Sequence, residues 1–447
     1  QICGDIAEGL LYLNRKIYTG ISTGLWDDKG IITLPSELKE GQKIEILIHL
    51  YTGNNFGSFQ TFGPQSLKNF EIVEICEIAR KLYFAFSTVM DFLEVMDKNC
   101  KEYFGILKHL EKTYLMLDFT SKERYKETAF SALNYLEKNV FNGETLKEIK
   151  FYLFGHSHID VASLWKYEIT REKSIRTFAT QLSLLDKYPG WIFQQGQSQL
   201  YEFLEEDAPG IFRKVKEKIK EGRWEASGSC WVECDTNLPS GESLVRQLLY
   251  GKKYFREKFN VDCKVLWMPD TFGYTGSLPQ IAKKSGIDLF ITSKISWNQY
   301  TVFPYDTFLW KGIDGSKLLT HFITTPIPSE RFHTYNTICS AKQIYGTYCE
   351  YKQKDINSVL FMPFGYGDGG GGPKEFMIEK LEWLRKGIKG FFKIVDGGIE
   401  DFRKDLLENL KNAHEIPVYE GELYLEYHRG VYTTQAKVKK MNRKCEY

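Results

Sequence analysis

The stretch IKFYLFGHSHID, residues 149–160, decides how the rest of the chain is read. It opens on a short, nearly continuous apolar run, the texture of a strand buried on both faces. Past Gly155 it delivers His156, His158 and Asp160 where such a strand would end. The pattern recurs. Asp270 follows KVLWMP (264–269), Asp368 follows SVLFMPF (358–364) and His428 follows GELYLEY (421–427). WIFQQ (191–195), LFITS (289–293) and FFKIV (391–395) are further strand candidates. Helical stretches at 206–221, 241–258, 277–285 and 374–388 lie among them. Alternating strands and helices predict a parallel sheet with crossover helices. In a parallel α/β barrel the strand ends meet on one face, so residues far apart in sequence can share a site.

Upstream the texture differs. LLYLNRKIY (10–18), IITL (31–34) and KIEILIHLY (43–51) read as strands between turn signals at Asp28-Lys29-Gly30 and Gly53-Asn54-Asn55. Residues 1–62 are therefore expected to form a small, incomplete β-domain. Residues 63–148 form a helical linker in this reading. Ile72, Ile75, Ala79, Leu82, Phe86, Val89, Phe92, Leu93 and Met96 fall at helical spacing there. No basic opposite face accompanies that stripe, so it reads as core rather than as a partner-binding surface. Residues 149–415 form the α/β unit, and 416–447 hold the last site strand and the start of a further helical segment.

A chain of 447 residues has room for about three domains. Its 59 Lys+Arg and 58 Asp+Glu nearly cancel, which argues against nucleic acid as a default partner. No apolar run of about 18 residues marks a membrane span. The nine cysteines are scattered and contain no CxxC, the usage of a reducing, cytoplasmic compartment. No signal peptide is visible at the first residues, QICGDIAEGL, which lack a start Met.

His158 and Asp160 offer imidazole nitrogen and carboxylate oxygen, both ordinary zinc donors, and alternation points them to one side. Asp270 and His428 occupy strand ends where further donors are needed. Asp270 and Asp368 are two carboxylates able to divide nucleophile and proton-donor roles. Plainer readings exist for each. Asp270 could cap a helix beginning near Ser277, and Asp368 could be a turn residue in a glycine loop. FGYGDGGGGP (364–373) also imitates a dinucleotide fingerprint. Asp368 would put negative charge where phosphate should lie, and further glycines and Pro373 separate the loop from its helix. Cys230 and Cys234 read as buried thiols, because no second pair follows at finger spacing. The basic tail from Lys437 to Lys444 reads as a solvated helix face.

GHSHIDVASLW (155–165), QLYE (199–202), WVECDTNLPSGESLVRQLLYGKKYF (231–255), WMPDTFGYTGSLPQI (267–281), KISWNQ (294–299), FGYGDGGGGP and ELYLEYHRGVYTTQ (422–435) together resemble glycoside hydrolase family 38, the α-mannosidases, in its bacterial and cytosolic branch. The resemblance runs from about residue 151 to the C-terminus. It implies a distorted (β/α)7 barrel and retaining hydrolysis of α-linked mannose from oligosaccharides. It implies His158, Asp160, Asp270 and His428 as ligands of one Zn2+, with Co2+ or another divalent ion as an alternative. It implies Asp270 as nucleophile and Asp368 as acid/base. Trp165, Asp235, Phe272 and Arg429 are the substrate-binding residues it suggests, and it leaves room for a homo-oligomer.

Two departures stand out. The family has Trp three residues after the ligand Asp, walling the reacting sugar; this chain has Ser163, with Trp165 nearby as a substitute. Family chains also continue well past the His-bearing motif, so the chain is expected to be a fragment. Three rival readings follow. An amidohydrolase-type enzyme would use His156 and His158 together as ligands. A dehydrogenase would rest on the 365–370 loop alone. A carbohydrate-binding subunit with a dead site would draw on Ser163. Trp297, Tyr300 and Trp310 are aromatics that suit either sugar subsites or the core.

Overall fold

The computed structural model describes residues 2–3, 8–22, 32–35, 39, 41–51, 69–70, 73–143, 145–327 and 330–447. The two turn signals at 28–30 and 53–55 lie outside them. Near the N-terminus, Glu8–Leu13 pairs antiparallel with Lys16–Ser22 and with Ile46–Tyr51. The hairpin turns on Asn14 and Arg15, both at positive φ as a primed turn requires. The described part of IITL, 32–34, is not in a strand. This sheet lies against the helix Tyr167–Lys187. Gly20 permits the approach, since a Cβ there would stand 2.6 Å from the Arg176 carbonyl oxygen.

Helices Glu77–Leu93, Lys101–Leu115 and Lys122–Asn139 follow. Leu82, Val89, Phe92 and Leu93 of the apolar stripe are buried. Phe92 meets Phe391 at 4.9 Å between ring centroids, and Lys380 bonds Asp91 at 2.6 Å, which joins this layer to the helix Glu375–Arg385.

The α/β unit is built on two five-stranded sheets. In the first, Val359–Phe364, Leu146–His156, Phe193–Gln195 and Trp224–Ala226 run parallel, and Phe392–Val395 also pairs with Leu146–His156. In the second, the order is Val418–Glu420, Thr307–Lys311, Lys317–Phe322, Leu289–Thr292, Val265–Trp267. Thr307–Lys311 runs antiparallel to Lys317–Phe322, and the other pairings are parallel. The sheets enclose Tyr152, Phe154, Trp267, Ile291, Leu319 and Phe361, closed off by Phe402 and Leu406 of the helix Ile399–Asn409.

The expected distorted (β/α)7 barrel is corrected to this extent: the described strands of this unit divide into two sheets and do not close into a barrel. Phe193–Gln195, Trp224–Ala226 and Val265–Trp267 are three residues each, too short to sustain a continuous ladder. Between the last two, Trp267 N–H reaches the Gly228 carbonyl at 3.3 Å, while Ser229 Oγ bonds the Val265 carbonyl at 2.7 Å. GELYLEY is a second correction. The strand lies just before it, at Val418–Glu420, and Leu423 makes only an isolated bridge to Tyr274. Leu423 and Leu425 are buried, so the alternation is real without a neighbouring strand to use it. Among the described residues no helix is long and apolar enough to cross a membrane.

Candidate active site

The residues at the strand ends converge. Past the strand Leu146–His156 the backbone is pinned from both sides. Gln195 Nε2 donates to the Ser157 carbonyl at 2.7 Å, and Gln197 Nε2 to the Ile159 carbonyl at 2.8 Å. The glycine loop closes over the other side. Gly370 N–H donates to the His158 carbonyl at 3.2 Å, and Asp160 N–H to the Asp368 carbonyl at 2.8 Å. A strand-end segment held by this many bonds presents its side chains in one arrangement.

His158 is buried, with Nε2 2.9 Å from Asp160 Oδ1 and 3.9 Å from Asp270 Oδ2. Candidate ligand atoms of His158, Asp160 and Asp270 all lie within 4.8 Å of one another. The other ring nitrogen, Nδ1, stands 3.2 Å from Glu233 Oε2. Glu233 Oε1 accepts the Asp270 backbone N–H at 2.5 Å and the Thr271 hydroxyl at 3.2 Å. Asp270 Oδ1 takes an ion pair from buried Lys294 Nζ at 2.5 Å. That ammonium also lies over the rings of Trp297, at 4.1 Å, and Phe272, at 5.0 Å. The helix near Ser277 has no side-chain cap, so Asp270 faces the site and not that helix.

Asp368 occupies φ +63°, a left-handed conformation a short polar side chain tolerates. Its Oδ1 accepts from the Tyr335 hydroxyl at 2.8 Å and Asn336 Nδ2 at 3.1 Å. Asp270 and Asp368 both lie close enough to act on Asp160 electrostatically. Burial first, then Asp270 and Asp368, push the Asp160 carboxyl upward against the pull of His158. For His158, burial opposes protonation, yet Glu233 and Asp160 outweigh it and hold the imidazole well above its ordinary range.

The donor set fits a divalent cation. One imidazole nitrogen and two carboxylate oxygens converge, and the imidazole's second nitrogen faces a carboxylate, the usual support for a ligating histidine. His428 lies outside that three-residue group. Its ring is 4.7 Å from Phe272 and 5.9 Å from Trp297. Burial and then Lys294 lower its proton affinity, while Asp270 works against them.

The other expected residues scatter. Trp165 is buried, donates from Nε1 to Thr170 Oγ1 at 3.0 Å and sits under Lys173 at 4.4 Å. It backs the glycine loop, since a Cβ on Gly369 would contact its ring at 3.7 Å. Asp235 is exposed and accepts from the N–H groups of Asn237 and Leu238, a local turn. Arg429 is exposed beside Tyr424, at 3.3 Å. Phe272 is half-buried between His428 and Lys294. Trp310 belongs to the core, Trp297 stacks on Phe332 at 4.8 Å, and Tyr300 is exposed.

The rival chemistries fare poorly. His156 stays out of the carboxylate group, its ring against Trp267 at 5.0 Å, and burial drives its pKa down to about 3. The glycine-loop N–H groups are engaged: Gly369 bonds Gly367 O, Gly371 bonds Thr177 Oγ1 and Gly372 bonds Tyr366 O. A dinucleotide phosphate would need those donors free. Cys230 and Cys234 are unbridged thiols, both pushed up by burial, Cys234 to about 12.

Four neighbours escaped the sequence reading: Glu233, Lys294, Tyr335 and Asn336. Lys294 had a signal, a lone cation just past LFITS. Glu233 was hidden between two cysteines that drew attention to sulfur. Tyr335 and Asn336 sit in irregular backbone with no periodicity to mark them.

Residues 148–422 match the model of the glycosyl hydrolases family 38 N-terminal domain. Alpha-mannosidase G of Dictyostelium discoideum is 35% identical over 462 residues, covering 100% of this chain and 40% of that protein. The alpha-mannosidase of Saccharomyces cerevisiae is 39% identical over 68% of this chain and 28% of its own length. The chain thus spans less than half the length of these relatives. A crystal structure of an alpha-mannosidase from Enterococcus faecalis V583 aligns with TM-score 0.52 and 20% identity, over 62% of this chain and 31% of that one, a likeness of fold.

Proposed function

The chain belongs to glycoside hydrolase family 38, and from that premise we propose that it carries the catalytic centre of a retaining α-mannosidase. The observation that carries the reading is the convergence of His158, Asp160 and Asp270 beside Asp368. In this reading Asp270 attacks the anomeric carbon of a terminal α-linked mannose as Asp368 gives its proton to the departing glycosidic oxygen. Asp368 then takes a proton from the water that cleaves the mannosyl ester on Asp270. Lys294 keeps one Asp270 oxygen oriented, and Tyr335 with Asn336 aims the Asp368 carboxyl.

His158, Asp160 and Asp270, joined by His428, would hold one Zn2+, or Co2+ in its place. Such an ion, when bound, supplies a Lewis-acid contact for the hydroxyls of the reacting sugar. Phe272 would face that sugar, with Asp235 and Arg429 reaching it from the rim and Trp165 acting through the glycine loop. The catalytic unit would span 149–415, completed by 416–447, and unbridged thiols such as Cys76, Cys100 and Cys263 support a cytoplasmic setting.

The test is hydrolysis of a chromogenic α-mannoside by the chain, with and without chelator, followed by NMR of the released sugar. Metal-dependent release of α-mannose first is expected. First release of β-mannose would remove Asp270 as nucleophile, and full activity in chelator would remove the metal from the scheme.

A further inference from the structure

We propose that Glu233 is a positioning residue that sets the metal-binding face of His158 and the backbone of Asp270 at once. The inference rests on the metal-site reading above. Glu233 is not one of the three converging donors. Its side chain is only 6% exposed, and both oxygens are spent on the site. Oε2 meets His158 Nδ1 at 3.2 Å, and Oε1 accepts from Asp270 N–H at 2.5 Å and Thr271 Oγ1 at 3.2 Å.

Glu233 is itself fixed from behind. Its backbone N–H donates to Gln197 Oε1 at 3.0 Å, and Gln197 Nε2 donates to the Ile159 carbonyl at 2.8 Å. The polar path therefore closes on itself. It runs from the 158–160 segment through Gln197 to Glu233 and back to the His158 ring, with a branch to Asp270. Three strand ends of the first sheet and one of the second meet in it. Neither carboxylate oxygen is idle, and each faces a donor.

That matching selects which histidine nitrogen keeps its proton when a metal binds. A carboxylate only accepts, so Glu233 keeps a proton on His158 Nδ1 and leaves Nε2, which shares a proton with Asp160 at 2.9 Å in the metal-free chain, as the nitrogen to bind the metal. Glu233→Gln keeps the volume and removes one acceptor. Asp270 N–H and Thr271 O–H require the amide oxygen on their side. The amide NH2 then faces His158 Nδ1, which must accept, and the ring's proton sits on Nε2 where a metal should be. Flipping the amide only sets its NH2 against the Asp270 N–H.

The experiment is a competition titration of the full chain with Zn2+ and with Co2+ against a chromophoric chelator. Glu233→Gln should weaken both metals by about 10–100-fold. Its metal-free melting temperature should stay near that of the unsubstituted chain. At saturating Co2+, its visible absorption bands should differ, a change that a merely structural role would not produce. If Glu233→Gln does not fold, Glu233→Asp serves instead: its shorter stem cannot reach both His158 and Asp270, and a similar loss is expected. Unchanged affinity in a folded Glu233 variant, beside lost binding in His158→Ala, overturns this assignment alone. No binding by the unsubstituted chain overturns the metal-site reading and this assignment with it.

Discussion

The 158–160 corner and the 423–432 arm both bring donors toward Asp270, and they are built differently. The corner hangs on the end of a buried strand and is tied by Gln195, Gln197, Gly370 and the Asp368 carbonyl. The arm has no ladder. His428 sits in it at φ +51°, between Tyr427, whose ring is 4.3 Å away, and Phe272. The Tyr432 hydroxyl donates to the Phe272 carbonyl at 3.0 Å, which anchors the arm beyond His428 and not at it. Donors at the end of a well-paired strand are assembled before any ligand arrives. In the proposed scheme His428, on irregular backbone, would be brought into place by the ligand it serves.

The most damaging substitution removes the residue on which corner and arm converge. Asp270→Asn should lower kcat on any α-mannoside by more than about 10⁴-fold, the scale seen when a nucleophile is deleted. It should weaken metal binding as well, because Oδ2 faces the donor group. Single-turnover rates and metal titration on the same variant check both. A residual rate within about tenfold of the unsubstituted chain would leave the corner without a nucleophile.

Asp368→Asn divides the two functions of the corner. Hydrolysis of a mannose disaccharide should fall by about 10²–10⁴-fold, the usual worth of a proton donor. Metal content should hold, since Asp368 is not among the converging donors. A nitrophenyl mannoside needs little acid help, so it should give a burst of phenolate and then a slow steady rate as deglycosylation lacks its base. Loss of metal, or an unchanged steady rate on the disaccharide, would take Asp368 out of the mechanism.

Metal titration of His158→Ala against His428→Ala tests the comparison directly. The preset donor should matter more. His158→Ala is expected to cost at least roughly tenfold more affinity than His428→Ala, a gap of about 1.4 kcal/mol. Equal losses would mean that the arm is as well assembled as the corner.

The same contrast decides what the sequence disclosed. IKFYLFG, KVLWMP and SVLFMPF are nearly continuous apolar runs, and a strand forms on each, so His158, Asp160, Asp270 and Asp368 could be placed beyond them. The helix Tyr167–Lys187 went unseen because its buried face mixes Ile175, Phe178, Leu182 and Leu185 with polar and charged residues. Lys173, Arg176, Thr177 and Gln181 are buried to serve Glu8, Gly371 and Pro373, and they interrupt the apolar stripe that a sequence reading looks for. Trp224–Ala226 was too short to leave a pattern. GELYLEY had the pattern and lacked the partner. Division into two sheets is a property of which strands meet, and no single strand's sequence encodes it. Trp165 sits where the motif suggested, and its indole N–H is satisfied by Thr170, a partner no motif named.

The smallest expected effect separates the site from its frame. His321, in the strand Lys317–Phe322, is buried, and its Nδ1 meets Thr307 Oγ1 at 2.8 Å. Burial takes its pKa down to about 3 from the ordinary 6.5. The folded chain therefore rejects a proton that the unfolded chain accepts. Its contribution to stability is complete above pH 6.5 and is lost as pH falls toward 3, at up to about 1.4 kcal/mol per pH unit for one proton. His156 follows the same sign in the other sheet, with a pKa also near 3. His321→Asn keeps a polar group for Thr307 and removes the titration. Urea unfolding of the metal-free chain from pH 7 to 4.5 should show a shallower acid loss in that variant, with His156 still contributing. Zn2+ affinity at pH 7 should not change, because His321 touches neither corner nor arm. A fall in metal affinity there would mean that the corner owes its geometry to the second sheet's packing and not to the bonds at its own strand end.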